Sequence, residues 1–110
     1  MSDGAVQEVD AKAFDQIVAS STVPVVADFW APWCGPCLMQ GPILDEVAKG
    51  AGPNAIVAKI NVDEEPGIAS QFGVQSIPTL LVLKDGQILQ RLVGVQSAQV
   101  LTSALQKAGA

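Results

Sequence analysis

Histidine is absent from this chain of 110 residues, cysteine occurs twice, and only six residues are basic. Each scarcity removes a class of function. Without an imidazole, the cysteine–histidine pairing that activates cysteine proteases is excluded. A structural zinc site wants four nitrogen or sulfur ligands, and two cysteines supply only half of them. Lys12, Lys49, Lys59, Lys84, Arg91 and Lys107 are scattered, so the clustered cations that nucleic-acid phosphates require are missing. Eleven acids leave a formal net charge of −5, an acidity that serves mainly solubility. No apolar run approaches the ~20 residues that span a bilayer. The opening Met1-Ser2-Asp3-Gly4-Ala5-Val6-Gln7-Glu8 lacks the basic region and apolar core of a secretory leader and the arginines of a transit peptide. Beginning with Met, it reads as an unprocessed chain, and a cytoplasmic location is expected.

What is present is an ordinary globular mixture, 49 % hydrophobic and 15 % charged, expected to form a single domain over residues 1–110. Asp10 is a candidate N-cap for a first helix, with Phe14, Ile17 and Val18 along one buried face. Val25 to Trp30 is a short β-branched run suited to burial on both faces of a sheet. A helix from near Cys34 to about Lys49 should turn Ile43, Leu44, Val47 and Ala48 inward and bend at Pro42. Gly50 to Asn54 should be loop, Ala55 to Val62 a second central strand, and Pro66 the start of a short helix that stops at Gly73. Asp85-Gly86 joins two further strands, Thr79 to Lys84 and Ile88 to Val93, as a hairpin. Ser97 caps a last amphipathic helix through Leu101 and Leu105. Alternating strands and helices that close on a hairpin predict an α/β fold, a mixed sheet with helices on both faces.

Both cysteines fall in Trp33-Cys34-Gly35-Pro36-Cys37, between an apolar strand and a helix. Two intervening residues let one thiol attack a substrate disulfide and the other resolve the product, so the pair reads as a redox site. A disulfide closing so short a loop would constrain the unfolded chain little, which disfavours a purely structural role. Cysteine pairs in a reducing compartment are more often catalytic than structural.

The segment Ala27-Asp28-Phe29-Trp30-Ala31-Pro32-Trp33-Cys34-Gly35-Pro36-Cys37 resembles the thioredoxin family. The match continues through Gly41-Pro42-Ile43-Leu44-Asp45-Glu46, Val57 to Asp63, Gly73 to Thr79, Lys84-Asp85-Gly86 and Val93-Gly94. In order, these segments cover about residues 10 to 108. The resemblance implies a five-stranded mixed sheet flanked by four helices. It also implies a protein-disulfide reductase that donates electrons to disulfide-containing targets and is recharged by a flavin-dependent thioredoxin reductase. No bound cofactor is implied beyond the Cys34–Cys37 pair itself, and a monomer is expected.

Cys34, at a helix start, faces free backbone N–H groups and the positive end of the helix dipole, both of which favour thiolate; it is the expected nucleophile. Cys37, one turn in, is the expected resolving thiol. Gly35 and Pro36 resemble the pair found in reducing members of the family, whereas oxidases and isomerases usually carry histidine before the second cysteine. Asp28 lies in an apolar strand, where a carboxylate is costly unless paired or protonated. By resemblance it is the buried acid behind Cys37, with Lys59 of the next strand as its partner. The alternative is that Asp28 faces solvent at a strand end and Lys59 merely snorkels. An X-Pro bond is cis in only about 5–6 % of cases, yet the family carries a cis proline at the position of Pro78. Trp33, Gly35, Pro36, Ile77, Pro78, Val93 and Gly94 would then form an apolar docking rim.

Two positions depart from the family pattern. Leu38 stands where Lys or Arg commonly follows the second cysteine, and Gly41 where Ala usually precedes the proline. Two other functions compete: an oxidase or isomerase, and a redox-independent binding subunit or chaperone that uses the same rim.

Overall fold

A computed structural model describes residues 4–109. The unprocessed N-terminus expected at Met1-Ser2-Asp3 and the final residue of the expected 1–110 domain lie outside the described residues. The elements run β1 (Gln7–Glu8), α1 (Ala11–Ser20), β2 (Val25–Trp30), α2 (Gly35–Ala51), a 3-10 turn (Gly52–Asn54) and β3 (Ile56–Asn61). They continue as α3 (Pro66–Gln71), β4 (Thr79–Lys84), β5 (Gln87–Val93) and α4 (Ala98–Gly109). The sheet order is β1-β3-β2-β4-β5, with β2 central. β3 runs parallel to both β1 and β2, whereas β4 lies antiparallel to β2 and β5.

Strand alternation sends successive side chains to opposite faces, and each face has its own core. Val26, Val57, Leu80 and Val82 pack beneath Leu44, Val47, Leu101, Ala104 and Leu105 of α2 and α4. Val25, Ala27, Phe29, Ile60 and Leu81 pack beneath Phe14 of α1 and Ile68 of α3. In this second core the rings of Phe14, Phe29 and Phe72 meet at centroid distances of 5.2 to 6.0 Å, two of the three pairs edge-on. Burial on both faces explains why β2 is apolar almost throughout.

The helix ends follow the sequence closely. Asp10 accepts from the Ala13 N–H at 2.8 Å, and Ser97 from the Val100 N–H at 3.2 Å. The hairpin turn places Asp85 and Gly86 at φ 54° and 77°, the left-handed geometry that such a turn demands. β3 and β5 differ from the expected bounds by single residues, whereas α2 continues past Lys49 to Ala51, and the expected loop includes a 3-10 turn at Gly52–Asn54. A glycine in the last helical turn costs only about 1 kcal/mol relative to alanine, so Gly50 does not stop a helix whose preceding turn, at Val47 and Ala48, is buried.

A dithiol site at the head of helix α2

β2 ends at Trp30, and the chain turns through Ala31 to Trp33 before α2 begins. Cys34 is the N-cap of that helix, and its sulfur accepts the Cys37 N–H at 3.2 Å. Pro36 occupies the first turn, where a missing N–H costs nothing. Cys34 and Cys37 form a disulfide with Cα atoms 5.2 Å apart. Cys34 is 6 % exposed and Cys37 3 %, so the first cysteine is the more accessible of a recessed pair.

Ile77 and Pro78, joined by a cis peptide bond, arrive from the loop before β4. The Ile77 carbonyl oxygen lies 3.9 Å from Cys34 Sγ. The Pro78 oxygen accepts the Gly94 N–H at 2.8 Å, which ties the end of β5 to this loop. Gly94 has φ 87°, a conformation that glycine adopts without the steric penalty of a side chain. Trp33, which precedes Cys34, is 70 % exposed, and Val93, which precedes Gly94, is 61 % exposed, whereas Pro78 is buried. Gly35 and Pro36 are exposed and Ile77 is half-buried.

Asp28 is 1 % exposed, on the face of β2 that α2 covers. Burial pushes its pKa up from 3.8 to about 7, against the opposing pull of the Lys59 charge. Among the described residues, its Oδ1 has no hydrogen-bond partner. Lys59 is Asp28's register partner on β3. Its ammonium is seated over the Trp30 ring, 4.0 Å from the centroid, a cation–π contact that holds the charge beside the carboxyl. Asp28 does not face solvent, and Lys59 is half-buried.

Three features of the surroundings complete the site. The Trp33 indole N–H donates to Asp63 at 2.8 Å, which orients the exposed ring. Leu38 and Met39 extend the apolar surface beside Trp33, 56 % and 66 % exposed. Gln40 is fully buried and bonded to the backbone of Gln96. Its burial could have been inferred from spacing, since positions 37, 40, 44, 47 and 48 recur at helical period on one face.

A cysteine pair at a helix N-terminus, a buried carboxyl with its pKa raised to about 7 in the preceding strand and exposed apolar side chains on neighbouring segments suit a protein of dithiol–disulfide exchange. The thioredoxin family model matches residues 5–107, and the chain belongs to that family. It is 48 % identical to thioredoxin 1 of Synechococcus elongatus over 94 residues, covering 86 % of this chain and 88 % of that one. It is 46 % identical to thioredoxin 1 of Nostoc over 103 residues, covering 94 % and 96 % respectively. The fold matches a mutant thioredoxin from Halobacterium salinarum with a TM-score of 0.90 at 33 % identity, covering 100 % of this chain and 96 % of that one. The activity is thus protein-disulfide reduction, with the cysteine pair itself as the redox group. Members of the family reduce disulfides in target proteins and are recharged by thioredoxin reductase. Among the described residues, no helix is long and apolar enough to cross a membrane.

Proposed function

We propose that Cys34 is the attacking thiol and Cys37 the resolving thiol of a general protein-disulfide reductase. Asp28 serves as the proton acceptor for Cys37, and Lys59 tunes Asp28. The observation that carries the assignment is the Cys37 N–H aimed at Cys34 Sγ from the first turn of α2. A donor there, with the helix dipole behind it, stabilises negative charge on Cys34.

The reaction then balances in two exchanges. The Cys34 thiolate attacks one sulfur of a target disulfide, a mixed disulfide forms, and the first target sulfur leaves as thiolate and takes a proton from water. Cys37 gives its proton to the Asp28 carboxylate through water and attacks Cys34 Sγ. The Cys34–Cys37 disulfide forms, and the target leaves with both sulfurs reduced. Two electrons have passed to the target. A thioredoxin reductase of the flavin-dependent type restores the dithiol, and the setting is a reducing cytoplasm with the protein as a monomer.

Docking is assigned to Trp33, Ile77, Val93 and Gly94, with Gly35 and Pro36 between them and Pro78 as buried support. An exposed apolar patch of this kind around a reactive sulfur suits association with protein segments. Leu38 and Met39 enlarge it.

Cys37→Ser tests the roles. It should trap a covalent mixed disulfide between Cys34 and a target, visible by mass spectrometry and released by dithiothreitol. Cys34→Ser should trap none and lose all turnover. A Cys34→Ser variant that kept full function would mark the protein as a redox-independent binding subunit instead.

A further inference from the structure

One buried polar side chain takes no part in the exchange chemistry yet lies one helical turn beyond it. Gln40 is 0 % exposed, three residues after Cys37 on α2. Its Nε2 donates to the Gln96 carbonyl at 2.9 Å, and its Oε1 accepts the Gln96 N–H at 2.7 Å. Both backbone groups of one residue are thereby gripped by a single planar amide, which fixes the orientation of residue 96 as well as its distance.

The connection continues toward the rim. The side-chain Nε2 of Gln96 donates to the carbonyls of Val93 and Gly94, each at 3.2 Å. The Gly94 N–H in turn donates to the Pro78 carbonyl at 2.8 Å. Residues 94–97 form neither helix nor strand. Between β5 and α4, therefore, these bonds are what orient the segment that begins with the docking residues. An aliphatic side chain at position 40 could fill the same volume without desolvating an amide. Among the described residues, the bonds that offset the desolvation cost of Gln40 go to that segment.

We propose that Gln40 is a positioning residue that sets the geometry of the Val93–Gly94 side of the docking rim and thereby the affinity for protein disulfides. It leaves the intrinsic reactivity of the dithiol unaltered. The proposal rests on the docking assignment made above.

The test is stopped-flow saturation kinetics of the reduced protein against excess insulin, following Trp fluorescence, for wild type and Gln40→Met. Met conserves volume and removes both bonds. The half-saturating insulin concentration should rise roughly three- to tenfold with the limiting rate within about twofold, the mark of lost ground-state binding. The reduction potential should stay in place, and the Gln96 amide should exchange hydrogen faster. Gln40→Glu supplies a rescue. Its buried carboxyl, once protonated, again offers a donor and an acceptor, so its half-saturation relative to wild type should fall toward one as pH is lowered.

An unchanged half-saturation in Gln40→Met, or a potential that shifts in step with it, overturns the proposal. Val93→Asp separates the two layers. If it weakens insulin binding and Gln40→Met does not, Gln40 alone is misassigned; if neither does, the docking assignment falls as well. Should Gln40→Met fail to fold, Gln96→Ala removes only the outer bonds to Val93 and Gly94 and should shift half-saturation in the same direction. No shift there refutes the relay.

Discussion

Asp28 has two measurable consequences. Its carboxyl titrates near 7 in the folded protein against 3.8 for an ordinary aspartate, so the folded state holds this proton more tightly than the unfolded chain does. The sign follows from linkage: its contribution favours the folded state below the unfolded pKa, fades as pH rises, and becomes a full cost above about pH 7. About three pH units at 1.36 kcal/mol each set a ceiling of about 4 kcal/mol. Asp28→Asn should therefore stabilise the oxidised protein at pH 8 by roughly 2–4 kcal/mol and leave it little changed near pH 4, measured by urea unfolding. If Asp28 is the proton acceptor proposed above, the same substitution should slow the Cys37 step and abolish its rise in rate through pH 7. Asp28 and Lys59 were legible in the sequence as lone charges in apolar strands. The seat of Lys59 over Trp30 was not, since a side chain's choice among partners depends on how neighbouring strands pair.

Among the elements, helix α1 gives the cleanest test of local coding. Asp10 caps it through the Ala13 N–H, on the opposite face of the sheet from α2. Asp10→Ala should cost about 1 kcal/mol in urea unfolding and leave the redox chemistry unaltered. Caps, hairpin turn and apolar periodicity identified nearly every element, because each rests on a short-range rule. The end of α2 was harder to read. Gly50 looks like a stop, but burial of Val47 and Ala48 carries the helix on to Ala51. Gln40 shows the same limit from the other side. A polar residue on an apolar helix face is visible in the chain, but its partner 56 positions away emerges only when β5 and α4 are packed.

In the molecule as a whole, alternation of strands and helices implied a mixed sheet covered on both faces, while the count of five strands and four helices came through the resemblance. The pairing of β3 between β1 and β2 depends on crossovers, which no local pattern encodes. The assembled fold brings α2, the Ile77–Pro78 loop and the end of β5 together around one sulfur pair. Trp33, exposed and tied to Asp63, stands beside that pair as a built-in fluorescent reporter. Equilibration of the Cys34–Cys37 couple with a reduced and oxidised glutathione buffer, read by tryptophan fluorescence, asks directly whether the molecule is a reductant. The expected potential is clearly more negative than that of glutathione, with the dithiol donating electrons. A potential well above it would overturn the reductase assignment and make the protein an oxidase or isomerase despite Gly35 and Pro36.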